Sequence, residues 1–274
     1  MIPGIHVSTA GGIHNAPLKL KELGLKTGQI FTANQRRWKN SEISPAAIAK
    51  FTEASRGLII VSHASYLINF ASANPEVVEK SHIALLEELN RCKSLGIRYL
   101  VMHPGAHQKV GLEKGIQMIS TSLRQLLPSV TDGPILLLEN TAGAGSTIGC
   151  HLQELAAIRD SSDIPELIGY CIDTAHAHGA GYRITDENTV SVFVDQLEDI
   201  LGCGNIKAFH LNDSKVECDS RRDRHEHFGK GTIGLDGLQC LFQTPALSGI
   251  PGIAETPGSD DERAEDMCKL QQMK

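Results

Sequence analysis

The sequence predicts an α/β fold, a single (β/α)8 TIM barrel. Eight short apolar runs alternate with longer amphipathic segments along 274 residues, so each strand–helix unit averages about 34 residues. Barrels of this type typically have about 250 residues. No linker-like composition divides the chain, and we therefore expect one domain that spans residues 1–274.

The predicted strands are short runs rich in Ile, Leu and Val, the residues that fill the layered interior of a parallel barrel. In chain order they are Ile2–His6, Gln29–Ala33, Leu58–His63, Ile97–His103, Ile135–Glu139, Ile168–Asp173, Ile206–His210 and Pro251–Glu255. Aromatic residues make up only 4% of the chain, so the core must depend on these aliphatic side chains.

Helices are predicted where apolar residues recur at helical spacing. In Pro75–Leu95, for example, the charged residues are expected away from one apolar face, which is formed by Val77, Ile83, Leu85, Leu86 and Leu89. Further segments of this kind are Leu112–Leu127, Leu152–Arg159, Thr189–Leu201 and Ser259–Met273. Strands that alternate with helices imply βαβ units and a parallel sheet.

A doubly wound open sheet is the alternative architecture. It would need a phosphate-binding or dinucleotide-binding loop after an early strand. The glycine-rich segment Gly143–Gly149 does not match the dinucleotide spacing, and no acidic ribose ligand follows it at the right place. We interpret this segment as a flexible loop that leaves a strand.

The cysteine pattern and the length of the apolar runs indicate the cellular compartment of the protein. The seven cysteines are odd in number and widely spaced, without a Cys-x-x-Cys pair, which argues against a disulfide framework and against thiolate zinc sites. No apolar run approaches the roughly 20 residues that span a bilayer, and the first residues lack the features of a signal peptide. We expect a cytoplasmic protein with no membrane partner.

Six of the predicted strands end in a side chain that can bind a metal ion. These strand-end residues are His63, His103, Glu139, Asp173, His210 and Glu255. They are remote in sequence, but the carboxyl ends of all barrel strands lie on one rim, so we expect the six side chains to converge. A buried imidazole or carboxylate costs several kcal/mol unless it is paired or bound to a metal. A metal cluster would provide a partner for all six side chains.

Three further candidate ligands lie close to these strand ends. His176 follows Asp173 by three residues, within reach if a turn starts there, and Asp223 and His225 lie two residues apart, on one side of an extended segment. A single histidine after a strand is usually a rim residue without a metal, but nine candidates together are not explained by rim polarity. Imidazole and carboxylate donors without cysteine are typical of catalytic zinc sites.

The segments that carry these residues resemble one family. They are HVSTAGG (6–12), NQRRW (34–38), HASYLIN (63–69), HPGAH (103–107), ENTAG (139–143), CIDTAHAHGAGY (171–182), HLNDSK (210–215), DRHEHFGKGTIG (223–234) and AETPG (254–258). In this order they are similar to the endonuclease IV family of abasic-site endonucleases. The similarity runs from residue 6 to about residue 270.

The resemblance implies a centre of three zinc ions, with Mn2+ as an alternative at one site, and Glu139 as a catalytic residue that bridges two ions. The implied ligand sets are His63, His103 and Glu139 for the first ion; Glu139, Asp173, His210 and Glu255 for the second; and His176, Asp223 and His225 for the third. It also implies contacts with DNA in the minor groove and the base stack, made by Gln35, Arg36, Tyr66 and Leu67. Judged by sequence chemistry alone, Tyr66 and Leu67 would more simply pack their loop.

The function that these features predict is hydrolysis of the phosphodiester bond 5′ to an abasic site in double-stranded DNA, leaving a 3′-hydroxyl. Repair of 3′-blocked ends is a further activity that the family implies. The net charge of −6 is unlike that of most DNA-binding proteins, but three zinc ions would neutralise it. Two basic segments, Arg36–Lys39 and Arg221–Arg224, would lie on the same rim as the metals. We expect the protein to act as a monomer.

Two other functions compete with this prediction. A barrel sugar isomerase or epimerase also gathers histidine and carboxylate ligands at strand ends, but it would leave His176, Asp223 and His225 without a role. A damage-binding protein without catalytic activity would not need a full ligand set. Metal content distinguishes the first rival, since about three zinc ions per chain favour the nuclease and one or two manganese or magnesium ions favour the isomerase.

Overall fold

Parallel strands close into a barrel in the computed structural model, which describes residues 1–272. The strands are β1 (Ile2–His6), β2 (Thr27–Ile30), β3 (Ile59–His63), β4 (Tyr99–Met102), β5 (Ile135–Glu139), β6 (Ile168–Asp173), β7 (Ile206–Leu211), β8 (Asp213–Ser214), β9 (His225–Glu226) and β10 (Pro251–Ala254). The α-helices are α1 (Asn15–Glu22), α2 (Pro45–Ala54), α3 (Pro75–Leu95), α4 (Leu112–Leu126), α5 (Leu152–Asp160), α6 (Thr174–Gly179), α7 (Glu187–Leu201), α8 (Gly234–Gln243) and α9 (Asp260–Gln272). Short 3-10 helices lie at Leu127–Ser129, Pro165–Leu167, Cys203–Asn205 and Pro245–Leu247.

The barrel strands are hydrogen-bonded in the closed order β1-β10-β7-β6-β5-β4-β3-β2, and every neighbouring pair is parallel. Helices connect successive barrel strands, so the predicted (β/α)8 TIM barrel is confirmed. The two-residue strands β8 and β9 form a separate antiparallel pair outside the barrel. Within residues 1–272, no helix is both long enough and apolar enough to cross a membrane.

Most predicted boundaries agree with the structure, and β2 shows the clearest difference. The sequence predicted Gln29–Ala33, whereas the strand spans Thr27–Ile30. Glycine is not typical of a strand, but a larger residue would not fit at Gly28, because its Cβ atom would lie 2.7 Å from the Leu20 side chain of α1. The predicted last helix, Ser259–Met273, is observed as α9, and Met273 lies outside the described residues.

Local signals explain where several helices begin and end. The side chain of Asn74 accepts a hydrogen bond from the backbone N–H of Glu76 at the start of α3, and Gly96 ends that helix with a left-handed φ of 70°. At the start of α7, Asp186 and Thr189 form a reciprocal capping box. These caps fix the helices that surround the barrel.

The core has two parts, one between the barrel and its helices and one inside the barrel. The inner part is a layer of buried side chains contributed by Val61, Val101, Leu137, Cys171, Ala208 and Ile253. Each of these residues precedes one of the six strand-end candidates by two positions in the sequence. Because side chains on a strand alternate, the residue two positions later points into the same interior, one layer nearer the rim. The fold therefore places the polar side chains directly above an apolar floor.

Candidate metal centre

The strand-end candidates and their neighbours form three groups of donor atoms on the carboxyl rim. In each group, the donor atoms lie within 4.8 Å of one another. The groups are His63, His103 and Glu139; Glu139, Asp173, His210 and Glu255; and Asp173, His176 and His225. Glu139 and Asp173 each belong to two groups, so the three groups form one continuous cluster.

Glu139 lies at the centre of the cluster and is only 1% exposed. Its Oε2 atom is 3.0 Å from His63 Nε2 and 3.5 Å from His103 Nε2. Its Oε1 atom is 2.8 Å from His210 Nδ1 and 3.5 Å from His176 Nδ1. The two oxygens of one carboxylate therefore face two different sets of imidazoles, as a bridging ligand would.

The start of helix α6 brings His176 back to the strand end. Asp173 ends β6 and is the N-cap of α6, where its Oδ1 atom accepts a hydrogen bond of 2.8 Å from the His176 backbone N–H. The first turn of the helix then directs the imidazole of His176 toward the cluster, 5.5 Å from the His103 and His225 rings between ring centroids. The turn at Asp173, which was predicted to bring His176 within reach of the other candidate ligands, is thus present.

Asp223 and His225 reach the cluster on the β8–β9 segment. Asp223 lies 3.2 Å from both His176 Nε2 and His225 Nε2, and its side chain is 55% exposed. Asp173, by contrast, is fully buried. This side of the cluster is therefore the one that is open to solvent.

Hydrogen bonds fix which ring nitrogen each histidine presents. The Nδ1 atoms of His63 and His176 lie 2.8 Å and 2.9 Å from backbone carbonyl oxygens. A carbonyl oxygen only accepts, so Nδ1 must donate, and Nε2 is the ring nitrogen that faces the cluster and carries the lone pair when the ring is neutral. His225 follows the same pattern, with Nδ1 3.2 Å from the Glu255 carbonyl oxygen. His210 is reversed, because its Nε2 donates to Gln29 Oε1 at 2.8 Å and leaves Nδ1 facing the carboxylates.

Three buried amide side chains orient the candidate ligands, and none of them was predicted to have this role. Gln29 donates to Glu255 Oε1 at 2.5 Å, and Asn212 donates to Asp173 Oδ2 at 2.7 Å. Asn140 accepts from the Asp173 backbone N–H at 2.6 Å. Asn140 and Asn212 lie beside candidate ligands in the ENTAG and HLNDSK segments, which was an available signal. No comparable signal marks Gln29, which lies inside a strand.

The carboxylates of the cluster favour positive charge at this site. Burial lowers the pKa of His176, but the carboxylates of Asp173, Asp223 and Glu139 raise it further, to about 10. Burial also lowers the pKa of His225, yet Asp173 and Asp223 raise it to about 9. In the metal-free cluster, imidazolium ions therefore neutralise the buried carboxylates.

One buried atom supports this interpretation most directly. His225 Nε2 is buried and has no hydrogen-bond partner among residues 1–272, although two carboxylate oxygens lie 3.2 Å and 3.5 Å away. A buried polar atom without a partner costs about 1–3 kcal/mol. A divalent cation between these oxygens and the nitrogen would satisfy all three atoms. Imidazole and carboxylate donors fit zinc and similar first-row metals.

A cavity of about 710 Å3 opens beside the cluster. His225 and Glu255 line one side, and Gln35 and Tyr66 line another. Tyr66 is 53% exposed, and its ring lies 5.2 Å from the His63 ring and 5.9 Å from the His103 ring. The other two predicted DNA contacts lie nearby, since Arg36 is exposed after Gln35 and Leu67 is half-buried after Tyr66.

The second basic segment, Arg221–Arg224, is less available for contacts with DNA than the sequence suggested. The Arg221 guanidinium pairs with Asp219 through two contacts of 3.0 Å and packs against Cys150. Arg222 and Arg224 remain exposed. His6, at the end of β1, lies 3.6 Å from Glu255 and beside the Gln29 amide.

Comparison with known proteins identifies relatives over almost the whole chain. A family model described as "Xylose isomerase-like TIM barrel" matches residues 17–272. A protein named probable endonuclease 4 from Halorhodospira halophila is 42% identical over 270 residues, which cover 96% of this chain and 91% of that relative. A protein of the same name from Citrifermentans bemidjiense is 42% identical over 267 residues, which cover 96% and 94% of the two chains.

Solved structures agree with these relatives. The crystal structure of endonuclease IV from Thermus thermophilus superposes with a TM-score of 0.87 and 34% identity, over 99% of this chain and 98% of that chain. A D-tagatose 3-epimerase-like protein has a TM-score of 0.73 at 20% identity, over 100% and 95% of the two chains, and this likeness shows the fold alone. Nearly full coverage by relatives of 42% identity decides the assignment: the chain belongs to the endonuclease IV family.

Proposed function

We propose that this protein is a metal-dependent endonuclease that hydrolyses the phosphodiester bond 5′ to abasic sites in double-stranded DNA and leaves a 3′-hydroxyl. The observation that carries the proposal is the cluster of imidazoles and carboxylates around the shared Glu139, at the edge of a cavity that is open to solvent. The relatives named as endonucleases support the reaction class. We also propose activity on 3′-blocked ends, action as a monomer and a location in the cytoplasm, at the nucleoid when active.

The proposed metal content is three zinc ions per chain, with Mn2+ as an alternative at one site. The proposed ligands are His63, His103 and Glu139; Glu139, Asp173, His210 and Glu255; and His176, Asp223 and His225. When bound, such ions lower the pKa of water to near neutrality and neutralise charge on phosphoryl oxygens. The chain's own part is to hold these side chains with the lone pairs that face the cluster, and the hydrogen bonds to the opposite ring nitrogens do so.

The loops around the cavity would hold the DNA. Gln35 and Arg36 lie on the loop after β2, where the guanidinium is exposed and can contact a phosphate. Tyr66 and Leu67 lie on the loop after β3, and the exposed Tyr66 ring stands above two of the candidate ligands. We propose that these residues hold the abasic nucleotide out of the duplex, which is cheap because a missing base has little stacking to lose.

An incision assay tests the proposed function. A labelled duplex with one abasic site would be incubated with protein that has been stripped of metal, and with the same protein after zinc is restored. We expect cleavage 5′ to the site only after zinc is restored, and a product that a DNA polymerase can extend from its 3′-hydroxyl. An undamaged duplex of the same sequence is the control. No incision by the zinc-loaded protein would reject the proposal.

The DNA contacts can be tested separately from the chemistry. Arg36→Ala should weaken DNA binding and reduce the slope of log affinity against log salt by about 1, because one phosphate contact is lost. Arg56→Ala is the matched control, since Arg56 is exposed but pairs with Glu53 at the end of α2. Equal salt slopes for the two variants would remove Arg36 from the interface.

A further inference from the structure

A fourth group of candidate metal donors lies at the start of α5, outside the barrel centre. Cys150, His151 and Glu154 each place one donor atom within 4.8 Å of the others. The Cys150 Sγ atom is 3.8 Å from Glu154 Oε1. A tetrahedral zinc ion with a Zn–S bond of about 2.3 Å and a Zn–O bond of about 2.0 Å holds sulfur and oxygen about 3.5 Å apart. The observed spacing is close to that value.

The backbone orients this group as a site. Glu154 is 7% exposed, and its Oε2 atom accepts a hydrogen bond of 2.6 Å from the Gly149 backbone N–H. That contact leaves Oε1 directed at Cys150. His151 is the N-cap residue of α5, but its side chain makes no capping hydrogen bond and is exposed. Its imidazole is therefore free to turn toward Cys150, which precedes it in the chain, and toward Glu154 on the first turn of α5.

The local charges favour a divalent cation. The Arg221 guanidinium lies 3.6 Å from Cys150 Sγ, but two contacts of 3.0 Å to Asp219 already balance its charge. Once an ion has displaced the thiol proton, the Cys150 thiolate and the Glu154 carboxylate together carry two negative charges. One divalent ion would neutralise both.

We propose that Cys150, His151 and Glu154 form an accessory metal site for a borderline divalent ion such as Zn2+ or Co2+, separate from the barrel centre. The exposed side of His151 would leave the fourth position to water. The thiolate makes this site softer than the barrel centre, and sulfur ligands favour zinc and cobalt over magnesium or calcium. A bound ion would tie the loop that follows β5 to the start of α5. The absence of a Cys-x-x-Cys pair argued against thiolate zinc sites, but that argument does not apply to a mixed set of one cysteine, one histidine and one glutamate.

Burial and the neighbouring Glu154 carboxylate raise the pKa of the Cys150 thiol above its usual value. The ion must therefore displace a proton from sulfur, and its affinity should increase with pH. The proposed site is inferred from the geometry of the three donors, and the pH dependence of its metal affinity follows from that site.

Cobalt spectroscopy tests the proposal without any measurement of activity. Metal-stripped full-length protein would be titrated with Co2+, and a thiolate-to-cobalt charge-transfer band would be followed in the near ultraviolet. The three groups of the barrel centre contain only imidazoles and carboxylates within residues 1–272, so they do not give this band. We expect the band in the wild type and its complete loss in Cys150→Ser. Cys218→Ser, which removes another half-buried free cysteine, should keep the band.

A second variant separates a metal site from an isolated reactive thiol. His151→Ala should keep the fold, because the side chain is exposed, and should weaken cobalt binding at this site by about 10–100-fold. Absence of the band in wild-type protein whose barrel centre is filled with cobalt would overturn the proposal. So would a band that survives in Cys150→Ser or a cobalt affinity that His151→Ala leaves unchanged.

Discussion

Glu139 connects two of the three donor groups, so its negative charge affects more of the centre than any single imidazole does. Glu139→Gln keeps the shape of the side chain but removes that charge. We expect kcat/KM for incision to fall by at least about 100-fold, the upper end of what loss of a supporting residue around a metal costs. The measurement is steady-state incision together with metal content per chain.

A matched variant controls for the loss of a buried carboxyl group. Glu88 is 4% exposed, lies on α3 and accepts a hydrogen bond of 2.5 Å from Thr32 Oγ1, and burial raises its pKa. Glu88→Gln should keep incision within about 3-fold of the wild type, well below the cost of a lost ligand. Near-normal turnover in Glu139→Gln would contradict the shared-ligand interpretation.

Gln29 fixes the unusual ring orientation of His210 and also holds Glu255. Gln29→Ala should therefore weaken metal binding by about 10–100-fold while the ligands themselves remain. Competition with a chelator measures this affinity. Thr27→Val, on the same strand, removes a hydrogen bond to the Ile59 carbonyl and should lower stability by about 1 kcal/mol without a change in metal affinity. If both variants bind metal like the wild type, Gln29 has no positioning role.

The candidate ligands could be predicted from the sequence because strand alternation and parallel topology fix where a strand-end side chain points. His63 and Glu139, for example, are 76 residues apart but meet at 3.0 Å. The supporting amides could not be predicted in this way, since an amide in a strand has no preferred partner until the partner strands are placed. The sequence likewise gives no measure of exposure, which separates the buried Asp173 from the open Asp223.

At the scale of elements, α9 contributes to the centre from a distance. Asp266 on this helix is fully buried and accepts hydrogen bonds of 2.8 Å from Thr256 Oγ1 and His227 Nδ1. Thr256 follows Glu255, and His227 lies two residues after His225. One carboxylate therefore joins the last barrel strand, the β9 segment and the final helix.

Asp266→Ala should lower the free energy of unfolding by roughly 3 kcal/mol, because it removes the buried acceptor of the Thr256 and His227 hydrogen bonds, and an unpaired buried polar group costs about 1–3 kcal/mol. Urea unfolding of the metal-loaded protein measures this change. Glu53→Ala removes an exposed carboxylate that pairs with Arg56, and it should change stability very little. A similarly small change for Asp266→Ala would show that α9 is not anchored through this residue.

Elements with strong local signals were predicted most closely. Pro75–Leu95 has an asparagine cap and a terminal glycine, and α3 has the predicted bounds. The predicted apolar face was partly wrong, because Ile83 and Leu86 are 53% and 36% exposed while Leu85 and Leu89 are buried. β2 was displaced because Thr27 and Gly28 carry no apolar signal, and the glycine is explained only by tertiary packing, since a Cβ atom would lie 2.7 Å from the Leu20 side chain and 2.9 Å from the Ile5 carbonyl oxygen. The strand pair formed by β8 and β9 was not predicted, because two-residue strands depend on long-range pairing and not on a local pattern.

At the scale of the whole molecule, the net charge of −6 and the raised pKa values of the cluster histidines link stability to metal and pH. The pKa of His176, near 10, and that of His225, near 9, lie above the ordinary value of 6.5. A group whose pKa is raised on folding stabilises the folded state fully below its unfolded pKa, and this contribution is lost as pH rises through the folded pKa. The Tm of metal-free protein should therefore fall between about pH 6.5 and pH 10.

Metal-loaded protein should show a flatter profile over this range, because its ligands are already deprotonated. Thermal unfolding of both forms in matched buffers makes the comparison, and His176→Ala should reduce the slope of the metal-free form. A Tm of the metal-free protein that stays constant or rises over this range would contradict the proposed charge balance.

We claim that scattered imidazoles and carboxylates bind three cations, two of which share Glu139. Anomalous diffraction at the zinc absorption edge, from crystals of zinc-loaded protein, tests it most directly. We expect three anomalous-difference peaks on the carboxyl rim of the barrel, one within each donor group, with Glu139 between two of them. A map with no peak among these side chains, from protein that incises abasic DNA, would contradict it.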